Sequence, residues 1–150
     1  MMKRISALGL DVGKKRIGVA GCDGTGLIAT GLTTIHRTSF WEDIQHLQQL
    51  IHQREAQVLV VGLPYNMDGS LGFQAKQVQK FALRISQPLQ LPVEYVDERL
   101  TSIEATAQLK TQKRFSTWDK GAIDRQAACI ILQQWLDYKC SRVGNNQNFT

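Results

Sequence analysis

Carboxylates stand at three places along the chain where their type and position could do chemistry together. Asp11 follows the apolar run Ile5–Leu10, Asp97 and Glu98 close the run that begins at Pro92, and Asp124 opens the last amphipathic stretch. Strand ends and helix starts that meet at one sheet edge would gather these acids, and gathered carboxylates repel unless a cation neutralises them, which points to Mg²⁺ or Mn²⁺. Two such ions about 3.5–4 Å apart can activate a water and stabilise the leaving oxygen of a phosphodiester. Singly, each acid has a simpler use: an Asp at a strand end caps a turn or pairs with an arginine, and Asp124 in a first helical turn suits the helix dipole. The combination is what points to metal-dependent hydrolysis. Lys14, Lys15 and Arg16 follow Asp11, so an anion drawn to the metals would meet positive charge beside them; the plainer use is a solvated turn. Arg99 could grip a phosphate bidentately or pair with Asp97.

Two other stretches could hold an anion. Gly62–Ser70 leaves an apolar run and enters a helix, where free N–H groups and the helix dipole favour a phosphate, though a tight loop needs the same glycines and proline. Lys110, Lys113, Arg114 and Lys120 surround Phe115 and Trp118, the mixture of charge and stacking surface that single-stranded nucleic acid favours, or a surface segment with one aromatic anchor. Gly21, Gly24 and Gly26 lack dinucleotide spacing, and no GxxxxGK[ST] loop is present. His36, His46 and His52 fall on or before the polar side of a helix, away from the acids, and Cys22 and Cys129 read as small packed hydrophobes.

The elements that must position these residues follow from periodicity. Ile5–Leu10 and Arg16–Cys22 read as two buried strands around a turn at Val12–Lys14, and Leu27–Ile35 as a third strand after a Gly-rich turn. Ser39 and Glu42 form a capping-box pattern ahead of Phe40, Ile44, Leu47 and Ile51, predicting a helix over 40–54. Val58–Gly62 is a continuous apolar run of the kind covered on both faces, so it belongs in the sheet centre. Phe73, Gln77, Phe81 and Ile85 mark a second helix ending before Pro88, and Pro92–Glu98 is the fifth strand. Thr101 and Glu104 open a further helix, and Ile123, Ala127, Ile130, Ile131, Gln134 and Tyr138 form the stripe of the longest one. The order β-β-β-α-β-α-β-α-α predicts an α/β fold: a mixed five-stranded sheet, a three-strand antiparallel meander plus two parallel strands, flanked by helices.

With 150 residues, 43% apolar and 21% charged, the chain has enough apolar surface for one packed core and too little charge bias for disorder. Residues 1–143 are expected to form one domain, with 144–150 a polar C-terminal tail. A net charge of +5 favours anionic partners at low salt. Three cysteines without CxxC spacing argue against a disulfide framework or zinc site, and no membrane-length apolar stretch occurs, so a cytoplasmic protein without membrane contact is expected.

Four blocks of this sequence resemble the YqgF/RuvX family: Gly9–Ala20, Val61–Pro64 with Met67–Ser70, Asp97–Thr101, and Ile123–Asp124 with Ala127–Ala128 and Ile131–Leu132. They occur in family order and span positions 9–132. The resemblance implies an RNase H-like fold akin to RuvC-type Holliday junction resolvases. It also implies a nuclease role, described both as junction resolution and as maturation of the 5′ end of pre-16S ribosomal RNA in ribosome biogenesis. By the same likeness Asp11, Glu98 and Asp124 are the catalytic and metal-binding acids for Mg²⁺ or Mn²⁺, with Asp97 a rival to Glu98 because adjacent strand residues face opposite sides. Lys14, Lys15, Arg16, Arg99, Lys113 and Arg114 are the expected contacts to structured RNA or branched DNA, in a monomer or weak homodimer. Two other classes compete: a non-catalytic RNA-binding or ribosome-assembly factor that retains the acids, and a nucleotide-binding relative of the sugar kinases and actin, which needs two lobes where this chain supplies one.

Overall fold

The computed structural model describes residues 5–66, 68–98 and 120–147. Its elements are β1 (Ala7–Val12), β2 (Arg16–Cys22), β3 (Ala29–His36), α1 (Phe40–Arg54), β4 (Val58–Leu63), α2 (Phe73–Leu89), β5 (Val93–Asp97) and α3 (Lys120–Gln147). The strands form one sheet in the order β3-β2-β1-β4-β5, with the first three strands antiparallel and β1, β4 and β5 parallel. This is the mixed sheet expected from the sequence. The helix expected from Thr101 lies outside the described residues.

Alternation along the strands sends two apolar sets to opposite faces. Leu8, Leu10, Ile17, Val19, Leu59 and Val61 meet Ile44 and Leu47 of α1 and Val78, Ala82 and Ile85 of α2. Ala7, Ala20, Val58 and Val60 meet Ala128, Ile131, Leu132 and Trp135 of α3. On this second side α3 lies almost on the backbone of β2. A Cβ built on Gly18 would stand 2.0 Å from the Asp124 carbonyl oxygen, so only glycine lets α3 come this close.

Local chemistry explains where the elements start and stop. β1 runs two residues past Leu10 because Asp11 pairs with Gly18 and Val12 with Ile17, and the turn closes when the Gly13 N–H donates to the Arg16 carbonyl. β3 begins at Ala29 instead of Leu27: the Asp23 carboxylate accepts the N–H groups of Leu27 and Ile28, fixing both in the turn, where they are exposed. α1 has the expected bounds, with the Glu42 N–H donating to Ser39 Oγ at 3.3 Å, while the Glu42 carboxylate accepts the Thr38 hydroxyl.

Two helices differ from the sequence reading. α2 continues through Pro88 to Leu89. The carbonyl that Pro88 leaves without its helical donor is that of exposed Arg84, and buried Leu89 holds the last turn in the core. Its buried face is Ala75, Val78, Ala82, Ile85 and Leu89, which shares only Ile85 with the expected stripe; Phe73 and Gln77 are exposed and Phe81 is half-buried against the core. In α3 the sheet-facing side likewise turns toward Ala128, Leu132 and Trp135, leaving Gln134 and Tyr138 exposed. The backbone of α3 stays helical through Gln147, into the segment read as a polar tail. Among the described residues no helix is long and apolar enough to cross a membrane.

Candidate active site

Strand parity chooses between Asp97 and Glu98. On β5, Glu94 accepts the Trp135 indole N–H at 3.2 Å and Val96 packs into the cluster beneath α3. Two residues on, Glu98 shares that side, and its N–H donates to the Leu63 carbonyl at 3.0 Å, prolonging the strand pairing. Asp11, on the same parity as Ala7 and Gly9, also faces α3. Asp97 has the other parity.

The side chains of Asp11 and Glu98 hydrogen-bond to each other, which two carboxylates can do only by sharing a proton. Burial, chiefly, pushes the Glu98 carboxyl up to about 9, with the Asp11 charge, the hydrogen bond it donates to Asp11, and the Asp97 charge adding to it. Burial also pushes Asp11 up to about 6; the hydrogen bond from Glu98 counteracts this and the Asp124 charge reinforces it. Glu98 therefore carries the proton and Asp11 accepts it. Gly62 makes the arrangement possible, because a Cβ there would lie 2.7 Å from Glu98 Oε2 and 2.5 Å from Ile131 Cδ1.

The third acid is near but turned. Asp124 stands one turn into α3, not in its first turn as the sequence suggests, and acts electrostatically on Asp11, while its Oδ2 accepts Arg16 Nε at 2.6 Å. Among the described residues, no group of three His, Cys, Asp or Glu side chains is arranged to hold a metal ion. The fold thus supplies a pair, Asp11 and Glu98, with Asp124 held beside it by an arginine. Carboxylate oxygens are the donors that hard divalent cations take, and a cation could replace the proton that now relieves the repulsion. The residues present fit such an ion.

The remaining candidates divide. Lys14 and Lys15 are exposed on the β1–β2 turn. Arg16 lies on Asp124, a contact the sequence reading did not foresee. Arg99, Lys113 and Arg114 lie outside the described residues, as do Lys110, Phe115 and Trp118. The loop after β4 spends polar groups on itself: the Ser70 N–H and hydroxyl donate to Asp68, and Asn66 donates to Ser70 Oγ. His36, His46 and His52 are exposed away from the acids, and Cys22 and Cys129 are free. The signal for the missed packing was glycine inside apolar strands, at Gly9, Gly18 and Gly62, where it weakens a strand unless something must come close.

Comparison with known proteins agrees with this geometry. The model of the RuvX family, described as Holliday junction resolvase, matches residues 5–138. A protein of Rippkaea orientalis named "Putative pre-16S rRNA nuclease" is 83% identical over 136 residues, covering 91% of this chain and 98% of its own length. A protein of the same name from Synechocystis sp. is 64% identical over 143 residues, covering 95% and 94%. Among solved structures, T. thermophilus RuvC in complex with a Holliday junction substrate superposes with a TM-score of 0.57 at 12% identity, over 91% of this chain and 96% of that one. The yeast mitochondrial Holliday junction resolvase gives 0.57 at 11%, over 99% and 84%. The chain belongs to the RuvX family, a nuclease family, and has the RNase H-like fold of the RuvC resolvases.

Proposed function

We propose that this chain is a divalent-metal-dependent nuclease that hydrolyses phosphodiester bonds at the 5′ end of pre-16S ribosomal RNA. The observation that carries the reading is the Asp11–Glu98 contact: two carboxylates brought from separate strands into hydrogen-bond contact beneath α3, at the sheet edge where β1 and β4 end. Such a pair is electrostatically unfavourable unless proton or cation occupies it. The names of the relatives from Rippkaea orientalis and Synechocystis sp. support ribosomal RNA as the substrate.

Asp11, Glu98 and Asp124 would hold Mg²⁺ or Mn²⁺. When bound, the ion supplies Lewis-acid stabilisation of charge on the phosphate and lowers the pKa of water. The protein's own groups do the rest. Glu98 would hold the ion in its deprotonated form, giving its proton to solvent, Asp11 would hold it as the ionised partner, and Arg16 orients Asp124 beside them. Lys14 and Lys15, exposed on the turn that follows Asp11, attract the polynucleotide backbone to the same edge.

The test is incubation of a precursor 16S 5′-end RNA with purified protein and Mg²⁺ or Mn²⁺, with a four-way DNA junction in parallel. Metal-dependent cleavage of the RNA, lost in Asp11→Asn, is the expected result. Equal cleavage by Asp11→Asn would expose a contaminating nuclease, and salt-sensitive binding without turnover under either metal would favour an assembly factor. The family's description as a junction resolvase favours DNA junctions as the second reading, and cutting of the junction alone would establish it.

A further inference from the structure

Helix α2 carries Lys76, Lys80 and Arg84 at four-residue spacing and no acidic residue anywhere along Phe73–Leu89. Residues four apart share a face, where like charges repel and weaken the helix, so this stripe is not there for the helix's own stability. Phe73, three residues before Lys76, opens the helix with 76% of its surface exposed. Opposite stand Val12, Gly13 and Lys14 of the β1–β2 turn and the side chain of Arg37. Between the two sides runs a groove of about 610 Å³, and no carboxylate lines it.

One wall is fixed. Arg37 donates to the Gly13 carbonyl at 2.7 Å, pairs with buried Asp43 and lies 4.5 Å from the centre of the Phe81 ring. Lys14, Lys76 and Lys80 are exposed, and none has an ion-pair partner among the described residues. The groove thus offers movable cations against a rigid wall, with an aromatic ring at one end.

We infer that this groove binds an unpaired polynucleotide segment, the single-stranded flank of the nucleic acid whose phosphodiester the acids cleave. The cations match a phosphate backbone, and a duplex or an acidic protein could use them equally well. Phe73 makes the choice: a base stacks on an exposed ring only when it is unpaired, and stacking tolerates any base. Placement agrees. Val12 lines the groove while its neighbour Asp11 faces the other side of the sheet, so a strand leaving the groove over the β1–β2 turn comes to the acid pair. The inference rests on the nuclease reading for its purpose, yet binding at the groove can be measured without cleavage.

The experiment measures fluorescence anisotropy of labelled oligouridylate, oligothymidylate and a blunt RNA duplex with the full chain in EDTA, across a salt series. Phe73→Ala should weaken binding of the unpaired strands about tenfold, leave the salt slope unchanged and leave the duplex unaffected. Lys76→Ala/Lys80→Ala should lower the slope of log K against log salt by about 1.4, from about 0.7 per phosphate contact on a single strand. These side chains are exposed, and matched melting curves check that the fold is intact. A preference for oligouridylate assigns the flank to RNA and a preference for oligothymidylate to DNA; both support the groove. Unchanged binding by Phe73→Ala, equal loss on the duplex, or displacement by polyglutamate that Phe73→Ala does not alter would overturn it. Cleavage assays run beside it separate the two readings. Active protein with groove variants of wild-type affinity refutes the groove alone, whereas groove-dependent binding by a protein that never cleaves refutes the nuclease alone.

Discussion

Gly62→Ala is the most informative single change because the added methyl meets two neighbours of different kinds. It would stand 2.5 Å from Ile131 Cδ1, in the core beneath α3, and 2.7 Å from Glu98 Oε2, in the acid pair. Overpacking of this kind costs about 1–3 kcal/mol, and at about 2–4 °C per kcal/mol for a chain of this size the melting temperature should fall by about 2–12 °C. The two clashes can be separated. Ile131→Val removes the offending Cδ1 and alone costs about 1 kcal/mol, leaving Cγ1 at 3.0 Å, a contact that a small shift relieves. Gly62→Ala/Ile131→Val should therefore be more stable than the sum of the single changes predicts, by at least about 0.5 kcal/mol of coupling. Activity should not recover with it, since Glu98 remains displaced from Asp11. The assay is a double-mutant cycle by denaturant melting with metal-dependent cleavage measured on all four proteins. Full cleavage by Gly62→Ala, or activity returning together with stability, would refute the claim that Gly62 exists to seat Glu98.

Three further outcomes follow from the same geometry. In EDTA the raised Asp11 and Glu98 groups stabilise the fold only while protonated: their contribution is complete below their ordinary values of 3.8 and 4.5 and is lost as pH climbs through about 6 and about 9. Melting temperature in EDTA should accordingly fall between pH 5 and pH 9 by more in the wild type than in Glu98→Gln, while the stabilisation gained from added Mn²⁺ should grow with pH; scanning calorimetry checks both. Arg16→Gln should cost at most about 1 kcal/mol, because the pair it breaks is partly solvated, and should tighten Mn²⁺ binding in titration calorimetry by freeing Asp124 of a competing cation. Gly18→Ala should cost more than about 3 kcal/mol, since the 2.0 Å approach is to a backbone oxygen that cannot yield without lifting α3, and denaturant melts would show it.

The sheet was legible in the sequence because buried strands announce themselves: Val58–Val61 is apolar at every position, and Arg16–Cys22 has its observed bounds. α1 was equally plain, since Ser39 supplies a cap whose partner lies at a fixed offset. The faces of α2 and α3 were legible only in part: Ile85, Ala127, Ile130 and Ile131 are buried as their stripes predict. Periodicity finds a helix but weights its largest apolar residues, and here Phe73 and Tyr138 are outside while Ala75, Ala82 and Ala128 are inside. Which of Asp97 and Glu98 faces Asp11 needed the sheet, because parity has meaning only once a neighbour such as Glu94 is seen against Trp135. The acids themselves were visible as residue types at element ends. The arginine on Asp124 was not, because Arg16 and Asp124 are 108 positions apart and only the packing of α3 on Gly18 brings them together.

The central claim is that Asp11 and Glu98 exchange their shared proton for a divalent cation. Anomalous diffraction from crystals soaked in Mn²⁺ at neutral pH tests it most directly. The account predicts a manganese peak within coordination distance of both carboxylates, absent in Asp11→Asn, with their mutual hydrogen bond gone. Crystals of cleavage-competent protein that hold no manganese there, with Asp11 still accepting the Glu98 proton, would contradict it.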